Sequence, residues 1–484
     1  MNRPAAMRGG LRLEACKTRP FEQPLRVLPA PAIAILALDQ GSGEAATPLV
    51  RPGDAVRVGT RIAAGGGAAA DLHSPISGAV RELAQLSVPN GVGDCIVIDG
   101  DGRDDREPEL DPCDWRSLTA ETLLERIGAA GIAGLGGAAF PTAAKLALAR
   151  SAGADWLVLN GAECEPWICC DDALMRQRAM DVVLGAQVML AASGAARCTI
   201  AVEDDKPEAI AALEAALGAA PAAGLELLTL PAVFPLGAEA LLIAAVTGRE
   251  VPRSGLPPDI GVVCQNVGTA AAVAHGVRDG RPLVSRIVTV TGSGVRQPAN
   301  VEARIGTPVA ALIGACGGRV DTSVSLIAGG SLTGRALAGD AVPLTKGLNC
   351  LLVATGDDLS QRGPEIPCIR CGDCAAACPV GLLPQQLLVA ARVDDRPGQD
   401  RFGLDACIEC GCCDYVCPSA IPLTAQFRAA RTRRHLHEQE RHRAADAKAR
   451  FERHQRRLTE QAEAERRAFD AARNHARGQD PGES

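Results

Sequence analysis

Aromatic side chains are scarce in this sequence: they make up 2% of its 484 residues, with three tryptophans and one tyrosine. Basic residues are not in excess either, because 50 lysines and arginines face 57 aspartates and glutamates, for a formal net charge of −7. Nucleic-acid-binding domains usually carry a basic surface, often with aromatic side chains that stack on bases. The composition therefore argues against a nucleic-acid-binding protein.

Long apolar segments are also missing. The longest candidate, residues 28–38, is short and interrupted by prolines, whereas a membrane-spanning helix needs about 20 consecutive apolar residues. Residues 1–10 are polar and glycine-rich, without the apolar stretch of a signal peptide. We therefore expect a cytoplasmic protein with no transmembrane segment of its own, which associates with a membrane through partners.

Cysteine, by contrast, is abundant, with 19 residues. Eight of them form two copies of the pattern C-x2-C-x2-C-x3-C-P. In bacterial two-cluster ferredoxins, three thiolates of such a run bind one cluster and the fourth binds the other. The spacing therefore predicts two 4Fe-4S clusters, the first held by Cys368, Cys371, Cys374 and Cys417 and the second by Cys407, Cys410, Cys413 and Cys378. Disulfides and zinc are the alternatives, but two identically spaced quartets are poorly explained by either.

The remaining cysteines near the motifs have two interpretations each. Cys412 lies between two predicted ligands, and we expect it to lie beside the cluster without binding it. Cys164, between two glutamates, is either a redox thiol or a buried small apolar residue; nearby negative charge raises a thiol pKa, which favours burial. We expect Cys169 and Cys170 to be packed in the interior.

Residues 49–90 alternate apolar residues with glycine and proline turns, which predicts a compact run of short strands. The run resembles the biotinyl/lipoyl-like barrel-sandwich fold. Carriers of that fold display a lysine at a hairpin tip, and residues 49–90 contain none, so we expect a scaffold. We expect His73 to be structural, and the acidic, proline-bearing residues 101–115 to form a linker.

Strands and helices alternate between residues 155 and 230. The pattern predicts strands at 155–160, 198–202 and 225–230 and helices at 172–192 and 207–217. Such alternation indicates a Rossmann-like parallel α/β sheet, whose ligands lie at the carboxyl ends of the strands.

Four loops near that edge carry candidate ligand-binding residues. The stretch GLGGAAFPTAAK at 134–145 offers close backbone approach, free helix amides and Lys145, which together suit a phosphate. NGAECEP at 160–166 adds Glu163 and Glu165, which either accept hydrogen bonds from a ligand or cap the following helix. PLGAEA at 235–240 contributes Glu239, and QNVGT at 265–269 offers the uncharged polar groups that a flavin ring edge needs.

Together, GLGGAAFP, NGAECEP and QNVGT resemble, in that order, the NADH- and FMN-binding loops of the flavoprotein subunit of respiratory complex I. The resemblance implies non-covalently bound FMN, with NADH as substrate. Ala139 stands where that family usually has a glycine, a departure that bears on NADH affinity more than on flavin binding. The cofactor-binding residues it implies are Gly134, Gly136, Gly137, Lys145, Asn160, Glu163, Glu165, Gly237, Glu239, Asn266 and Thr269.

Over nearly the whole chain, the sequence is more similar to the RnfC family, peripheral subunits of the Rnf ion-translocating electron transport complex. The order of domains agrees, and so does the text CGDCAAACPVGLLPQQ at 371–386 and CIECGCCDYVCPSAIP at 407–422. The resemblance implies a multidomain α/β protein. Its expected parts are an N-terminal segment (1–25), a barrel-sandwich domain (26–105), an NADH/FMN-binding α/β domain (106–282), a small β-grasp domain (283–345), an α-helical two-cluster ferredoxin-like domain (346–427) and a charged tail (428–484).

Residues 428–484 contain 15 Arg/Lys against 10 Asp/Glu and five of the seven histidines. Large apolar residues are sparse there, so we expect a solvated helix or a disordered segment. A basic segment of this kind either binds anionic lipid or an acidic partner, or is simply solvated.

The family resemblance implies a function. Hydride passes from NADH to FMN, and single electrons then pass through the two clusters to a membrane partner or a ferredoxin. No catalytic side chain is required for hydride transfer. The protein would be a translocase-class oxidoreductase subunit, peripheral on the cytoplasmic face of the bacterial inner membrane, with membrane-embedded and iron-sulfur subunits as partners. A soluble reductase similar to cobalamin reductase and a non-enzymatic iron-sulfur adaptor are the alternatives.

Overall fold

The computed structural model describes residues 7–108, 114–253, 255–321, 324–356, 358–359 and 363–477. Of the expected linker, residues 109–113 lie outside this range, as do residues 478–484 of the tail. The chain forms two units: one runs to Gln385 and adds Ala406–Leu423, and the other comprises Gln386–Asp405 and continues from Thr424. Among the described residues, no helix has both the length and the apolar character to cross a membrane.

Two small antiparallel sheets enclose one apolar core between residues 33 and 100. Their strand orders are β2-β8-β7-β4 and β3-β5-β6, and Leu36, Ile62, Leu72 and Ile98 are fully buried between them. This is the run of short strands that the alternating sequence predicts. The chain to this point forms α1 (Thr18–Phe21), β1 (Arg26–Val27), β2 (Ile33–Ala37), β3 (Thr47–Pro48), β4 (Ala55–Val56), β5 (Arg61–Ala64), β6 (Leu72–His73), β7 (Gly78–Val88) and β8 (Gly91–Gly100).

A parallel four-stranded sheet of order β11-β10-β9-β12 forms the centre of the next domain. The predicted strands and helices are confirmed to within a few residues, because each has the apolar periodicity of its burial. The elements are α2 (Ala120–Ala129), α3 (Thr142–Ser151), β9 (Trp156–Gly161), α4 (Cys170–Ser193), β10 (Arg197–Glu203), α5 (Pro207–Ala219), β11 (Leu225–Leu230), α6 (Glu239–Thr247), β12 (Val262–Asn266) and α7 (Val267–Arg278). The loops that follow β9 and β12 lie at the same edge, as parallel strands require.

A mixed six-stranded sheet follows, of order β1-β14-β13-β17-β15-β16, so that the N-terminal β1 completes its edge. Val288, Val301, Leu312 and Leu351 are fully buried in its core. Its elements are β13 (Ser285–Thr291), β14 (Ala299–Arg304), α8 (Val309–Ala315), β15 (Ser325–Ala328), β16 (Arg335–Ala336) and β17 (Cys350–Ala354).

Short helices and one long helix form the rest of the chain. The short ones are α9 (Asp373–Ala377), α10 (Pro384–Arg392), α11 (Arg396–Arg401) and α12 (Cys412–Tyr415), and the long one is α13 (Leu423–Arg477). The tail is therefore helical as far as it is described. The helix begins before residue 428, the start of the expected tail, because buried Leu423, Phe427 and Ala430 anchor its first turns.

Candidate functional site

The glycine loop between α2 and α3 folds back on itself. The Gly134 amide donates to the Phe140 carbonyl at 2.9 Å, which closes the loop. Gly137 has φ +120°, and a Cβ added there would meet no atom within 4 Å, so its backbone faces open space. A Cβ on Gly136 would lie 3.3 Å from the Cβ of Asn266. The loop thus exposes backbone on one side and packs on the β12–α7 turn on the other, an arrangement that leaves room for a ligand.

Lys145 and Glu239 meet at this edge. The lysine Nζ lies 2.5 Å from a Glu239 carboxylate oxygen, with 27% and 44% of the two side chains exposed. Lys145 is in the first turn of α3 and Glu239 is the first residue of α6. The expected phosphate-binding cation and the expected acidic residue are therefore brought together, half in solvent, where the pair can open.

Asn160, at the end of β9, connects two loops. Its amide nitrogen donates to the Gly237 carbonyl at 2.8 Å, and its oxygen accepts from the Ala162 amide at 3.0 Å. A Cβ on Gly237 would lie 2.4 Å from the Ala162 carbonyl oxygen, so only glycine allows this approach. Asn160 and Gly237 thus fix the shape of the edge.

Glu163 is buried and caps helix α4. Its two carboxylate oxygens accept from the amides of Asp171 at 2.9 Å and Asp172 at 3.2 Å, which leaves the helix dipole to stabilise the carboxylate. Burial raises the pKa of Glu163, and the neighbouring Asp171 adds to the rise. Of the two interpretations of this residue, helix capping is the one seen among these contacts.

Glu165 points the other way, toward the mixed sheet. One oxygen accepts from the amides of Leu332 and Thr333 at 3.1 and 2.8 Å, and the other accepts from the Thr333 hydroxyl at 2.5 Å. The acidic loop therefore joins the parallel sheet to the loop after β15. A direct contact of either glutamate with a cofactor stays a prediction.

Asn266 and Thr269 hold the glycine loop in place. The Asn266 oxygen accepts from the Gly268 and Thr269 amides and so caps α7, while its amide nitrogen donates to Asp171 at 2.6 Å. The Thr269 hydroxyl accepts from the Leu135 amide at 2.9 Å. The predicted flavin-lining residues are therefore built into the turn that supports the loop.

Two buried cations beside the loop were missed by sequence reasoning. Arg286 donates to the Leu135 carbonyl at 3.1 Å and also to the Lys346 carbonyl. The Lys346 Nζ donates to the carbonyls of Asp71 and Gly131, both at 2.7 Å. Burial lowers the pKa of both residues, to about 7 for Lys346. No local pattern marks them, because their partners come from distant parts of the chain.

Ala139 lies in the left-handed region, at φ +49°, where glycine is favoured. Its side chain is 2% exposed, and a Cβ on Gly41 of the first domain would lie 3.5 Å from it. A Cβ on Gly347 would lie 2.7 Å from the Gly137 carbonyl oxygen. The glycine loop is therefore covered on one side by the first domain, and the Ala139 methyl group lies under that cover.

The two cysteine quartets have the same backbone geometry, which is the geometry that two equivalent clusters require. The residue before the second cysteine has positive φ in each (Arg370, +57°; Glu409, +54°), as does the glycine after it (Gly372, +91°; Gly411, +77°). The amides of Cys378 and Cys417 donate to Ala375 and Asp414, at 3.3 and 3.1 Å. All eight thiols are free, with Cys368 and Cys371 exposed, Cys413 buried and the others between these extremes. This repeated geometry and donor set fit two iron-sulfur clusters.

An apolar contact joins the acidic loop to the second quartet. Buried Phe234, Ala377 and Cys412 pack with partly buried Cys164 and Cys410. Residues 7–13, which we call the N-terminal strap, take part: the Gly10 amide donates to the Ala377 carbonyl at 3.0 Å, and residue 11 pairs with residue 234. Cys410, a predicted ligand of the second cluster, therefore lies beside the cofactor-site loop.

The other expected packing residues are buried. Burial raises the pKa of Cys164 and of Cys169 to about 12, and raises that of Cys170, so these thiols are poor nucleophiles. Burial lowers the pKa of His73 to about 4, which keeps the ring neutral. These contacts agree with structural roles, and Cys412 is fully buried beside Cys410.

Four domain families match consecutive parts of the chain. They are the RnfC barrel sandwich hybrid domain over residues 5–103, the Nuo51 FMN-binding domain over 127–275, the SLBB domain over 287–336 and the 4Fe-4S dicluster domain over 362–442. The protein is therefore a multidomain α/β chain with barrel-sandwich, FMN-binding, SLBB and 4Fe-4S domains.

Curated relatives match most of the chain, and each is named as one particular subunit of an ion-translocating oxidoreductase complex. The protein of Pseudomonas aeruginosa is 46% identical over 96% of this chain and 60% of its own length. That of Erwinia tasmaniensis is 41% identical over 98% and 59%. That of Rhodobacter capsulatus is 39% identical over 88% of this chain and 82% of its own length. The chain thus spans about 60% of the length of the first two relatives.

Proposed function

Since the chain belongs to the RnfC family of ion-translocating oxidoreductase complexes, we propose that it is the NADH-oxidising electron-transfer subunit of such a complex. When bound, FMN accepts a hydride from NADH, and the two 4Fe-4S clusters carry single electrons onward. The residues of the chain position these groups close together. Hydride transfer itself needs no acid or base from the protein.

The observation that carries this proposal is the route from the sheet edge to the second quartet. Asn160 helps to shape the expected flavin edge, and Cys164, four residues later, packs with Cys410. Four residues span at most about 14 Å. The short separation supports direct electron transfer from the flavin site to the cluster held by Cys407, Cys410, Cys413 and Cys378. The other cluster, whose Cys368 and Cys371 are exposed, would then be the exit toward a partner.

The contacts divide the FMN-binding work among the loops. Gly134, Gly136 and Gly137 let the backbone approach the ring, and Lys145 would bind the phosphate. Glu239 would then give up its contact with Lys145, at small cost because it is already 44% exposed. Asn160, Gly237, Asn266 and Thr269 would shape the ring edge, while Glu163 and Glu165 would hold the acidic loop by the contacts described above.

The proposed partners are the membrane-embedded and iron-sulfur subunits of an Rnf-type complex, with a ferredoxin as electron carrier. The proposed location is the cytoplasmic face of the bacterial inner membrane, where the protein would be peripheral. Relatives named as subunits of an ion-translocating complex support both proposals. Matches over most of the chain favour this function over a soluble reductase similar to cobalamin reductase. The FMN-binding domain match disfavours a non-enzymatic adaptor.

Cofactor content tests the proposal. The reconstituted chain should bind one FMN and about eight iron atoms, four for each cubane. Cys371→Ser should lose about half of the iron and keep FMN, because it removes a ligand of one cluster only. Cys412→Ala is the matched control: it removes a thiol beside a ligand and should keep all of the iron. Unchanged iron in Cys371→Ser, or a chain that never binds FMN, would overturn the assignment.

A further inference from the structure

Residues 436–473 of α13, which we call the distal segment, carry an apolar stripe that the proposed electron transfer does not use. Its four largest apolar side chains are exposed: Leu436 by 54%, Phe451 by 62%, Leu458 by 46% and Phe469 by 69%. At about 100° per residue, all four fall within an arc of about 60° on the helix. Ala444, Ala447, Ala462 and Ala472 lie within or next to the same arc. Scattered exposed residues would not align over so many turns.

Charge is sorted around this stripe. Within about 100° of its centre lie seven basic residues and two acidic ones by the same geometry. The basic residues are Arg441, Arg443, Lys448, Arg450, Arg457, Arg466 and Arg473, and the acidic ones are Glu440 and Glu465. The remaining face has three arginines and six acids, namely Arg453, Arg456, Arg467, Glu438, Asp446, Glu452, Glu460, Glu463 and Asp470. The segment has nearly balanced charge overall, yet its two faces differ in sign.

We propose that the distal segment lies on an anionic lipid surface, with Phe451, Leu458 and Phe469 inserted between headgroups. The basic rows on both sides of the stripe would reach the headgroup level, because long Arg and Lys side chains extend from an apolar face to the polar boundary. The acidic residues would face water. This is the arrangement of a helix that lies in a membrane interface rather than across it. The chain would then contact the membrane directly, beyond any attachment through partner subunits.

The charge pattern disfavours a second copy of the chain as the occupant. A coiled coil of two such stripes would place basic rows beside basic rows, and like charges at flanking positions repel. A bilayer with anionic headgroups has the complementary charge over a continuous plane. An acidic partner protein remains an outcome that the experiment separates.

Vesicle sedimentation of the full chain tests the proposal. We expect binding to vesicles of equal parts phosphatidylglycerol and phosphatidylcholine at about 50 mM salt, and loss of most of it at about 500 mM, where charges are strongly screened. Pure phosphatidylcholine vesicles should bind much less. The double variant Arg443→Glu, Arg450→Glu, next to the stripe, should weaken binding about tenfold or more, since each basic residue near the surface contributes to attraction. Arg453→Glu, Arg456→Glu makes the same charge change on the opposite face and should bind within about twofold of the parent.

A second pair of variants tests the apolar stripe. Phe451→Ser, Phe469→Ser should also weaken binding, whereas Ala449→Ser, Ala471→Ser on the far face should not. Equal losses from both members of either pair, or no binding to anionic vesicles at low salt, would overturn the proposal. So would a salt-resistant dimer that Phe451→Ser dissociates, because the stripe would then contact a second copy. FMN and iron contents of the same preparations report on the proposed function separately, since the distal segment contains none of the cofactor residues.

Discussion

Lys145 and Glu239, 94 residues apart in sequence, meet at 2.5 Å at the edge of the parallel sheet. The other candidate residues are also engaged with protein groups: Asn160 and Asn266 bond to turns, and Glu163 caps a helix. At the scale of single residues, the site is therefore held in shape by its own contacts. Lys145 is the member best placed to exchange its partner for a phosphate.

Lys145→Ala should release FMN and leave the clusters intact. A charge-assisted hydrogen bond contributes about 1.5–3 kcal/mol, so the dissociation constant of FMN should rise about tenfold or more. The measurement is flavin fluorescence of the filtrate after dilution, together with iron content. Arg150→Ala, on the same helix but in a surface pair with Glu121, should leave the FMN affinity unchanged. Equal loss of FMN and iron in Lys145→Ala would contradict the division of the chain into separate sites.

Lys346 should make stability depend on pH. Burial lowers its pKa from 10.5 to about 7, so between these values the unfolded chain binds a proton that the folded chain does not. The free energy of unfolding should therefore rise with pH across this window and fall as pH drops toward 7. His73, with its pKa lowered from 6.5 to about 4, acts in a separate, more acidic window.

Thermal unfolding between about pH 7.5 and 9.5 checks this prediction. The melting temperature of the parent should climb with pH, and Lys346→Met should flatten that climb because it removes the titrating group. Lys448→Met, at an exposed position of α13 where 78% of the side chain is in solvent, should keep the parental slope. Parallel profiles for the parent and Lys346→Met would show that the lysine is not the cause.

Sequence reasoning found the residues of the site but not their connections. It identified the loops because glycine, asparagine and helix-start signals are local. It left open whether Glu163 and Glu165 bind a ligand or hold the chain, because the answer depends on which backbone amides face them. Arg286 contacts Leu135, 151 residues away, and Lys346 contacts Asp71, 275 residues away. Such long-range pairs leave no local pattern.

At the scale of elements, the α/β region was predicted closely. β11 has the bounds 225–230 that the pattern predicts, and α5 and β9 differ by one or two residues. Long apolar periodicities are reliable because each element buries one face in the same core. The N-terminal strap was not predicted: it is too short to have a period, and it is ordered by what it touches.

Gly10→Val should loosen the contact between the strap and the second quartet. Gly10 has φ +76°, and a Cβ there would lie 2.8 Å from the Phe234 carbonyl oxygen. FMN and iron should be retained, while the clusters should accept electrons from the flavin more slowly than in the parent. Anaerobic stopped-flow absorbance measures the two steps separately.

Gly43→Val is the control for this variant, because Gly43 has a similar φ of +84° but open space around it. It isolates the backbone strain from the steric clash. The two variants should therefore differ in the rate of cluster reduction. If both transfer electrons at the parental rate, the strap does not govern the approach of the cofactor sites.

At the scale of the whole molecule, the order of domains explains the function better than any single motif. The family resemblance seen in the sequence is confirmed by relatives 39–46% identical over most of the chain. Geometry adds which quartet lies beside the flavin loop, which the spacing of cysteines cannot say, because both quartets have the same pattern. The domain boundaries expected from the sequence stay predictions.

The central claim is that paired electrons from NADH are divided between two single-electron carriers in one chain. The direct test is to add NADH to the reconstituted protein without oxygen and follow its absorbance. We predict that the flavin band bleaches first and the broad iron-sulfur absorbance follows, in the parent but not in Lys145→Ala. A protein with its full iron content that binds FMN, yet shows no loss of either absorbance with NADH, would contradict the account.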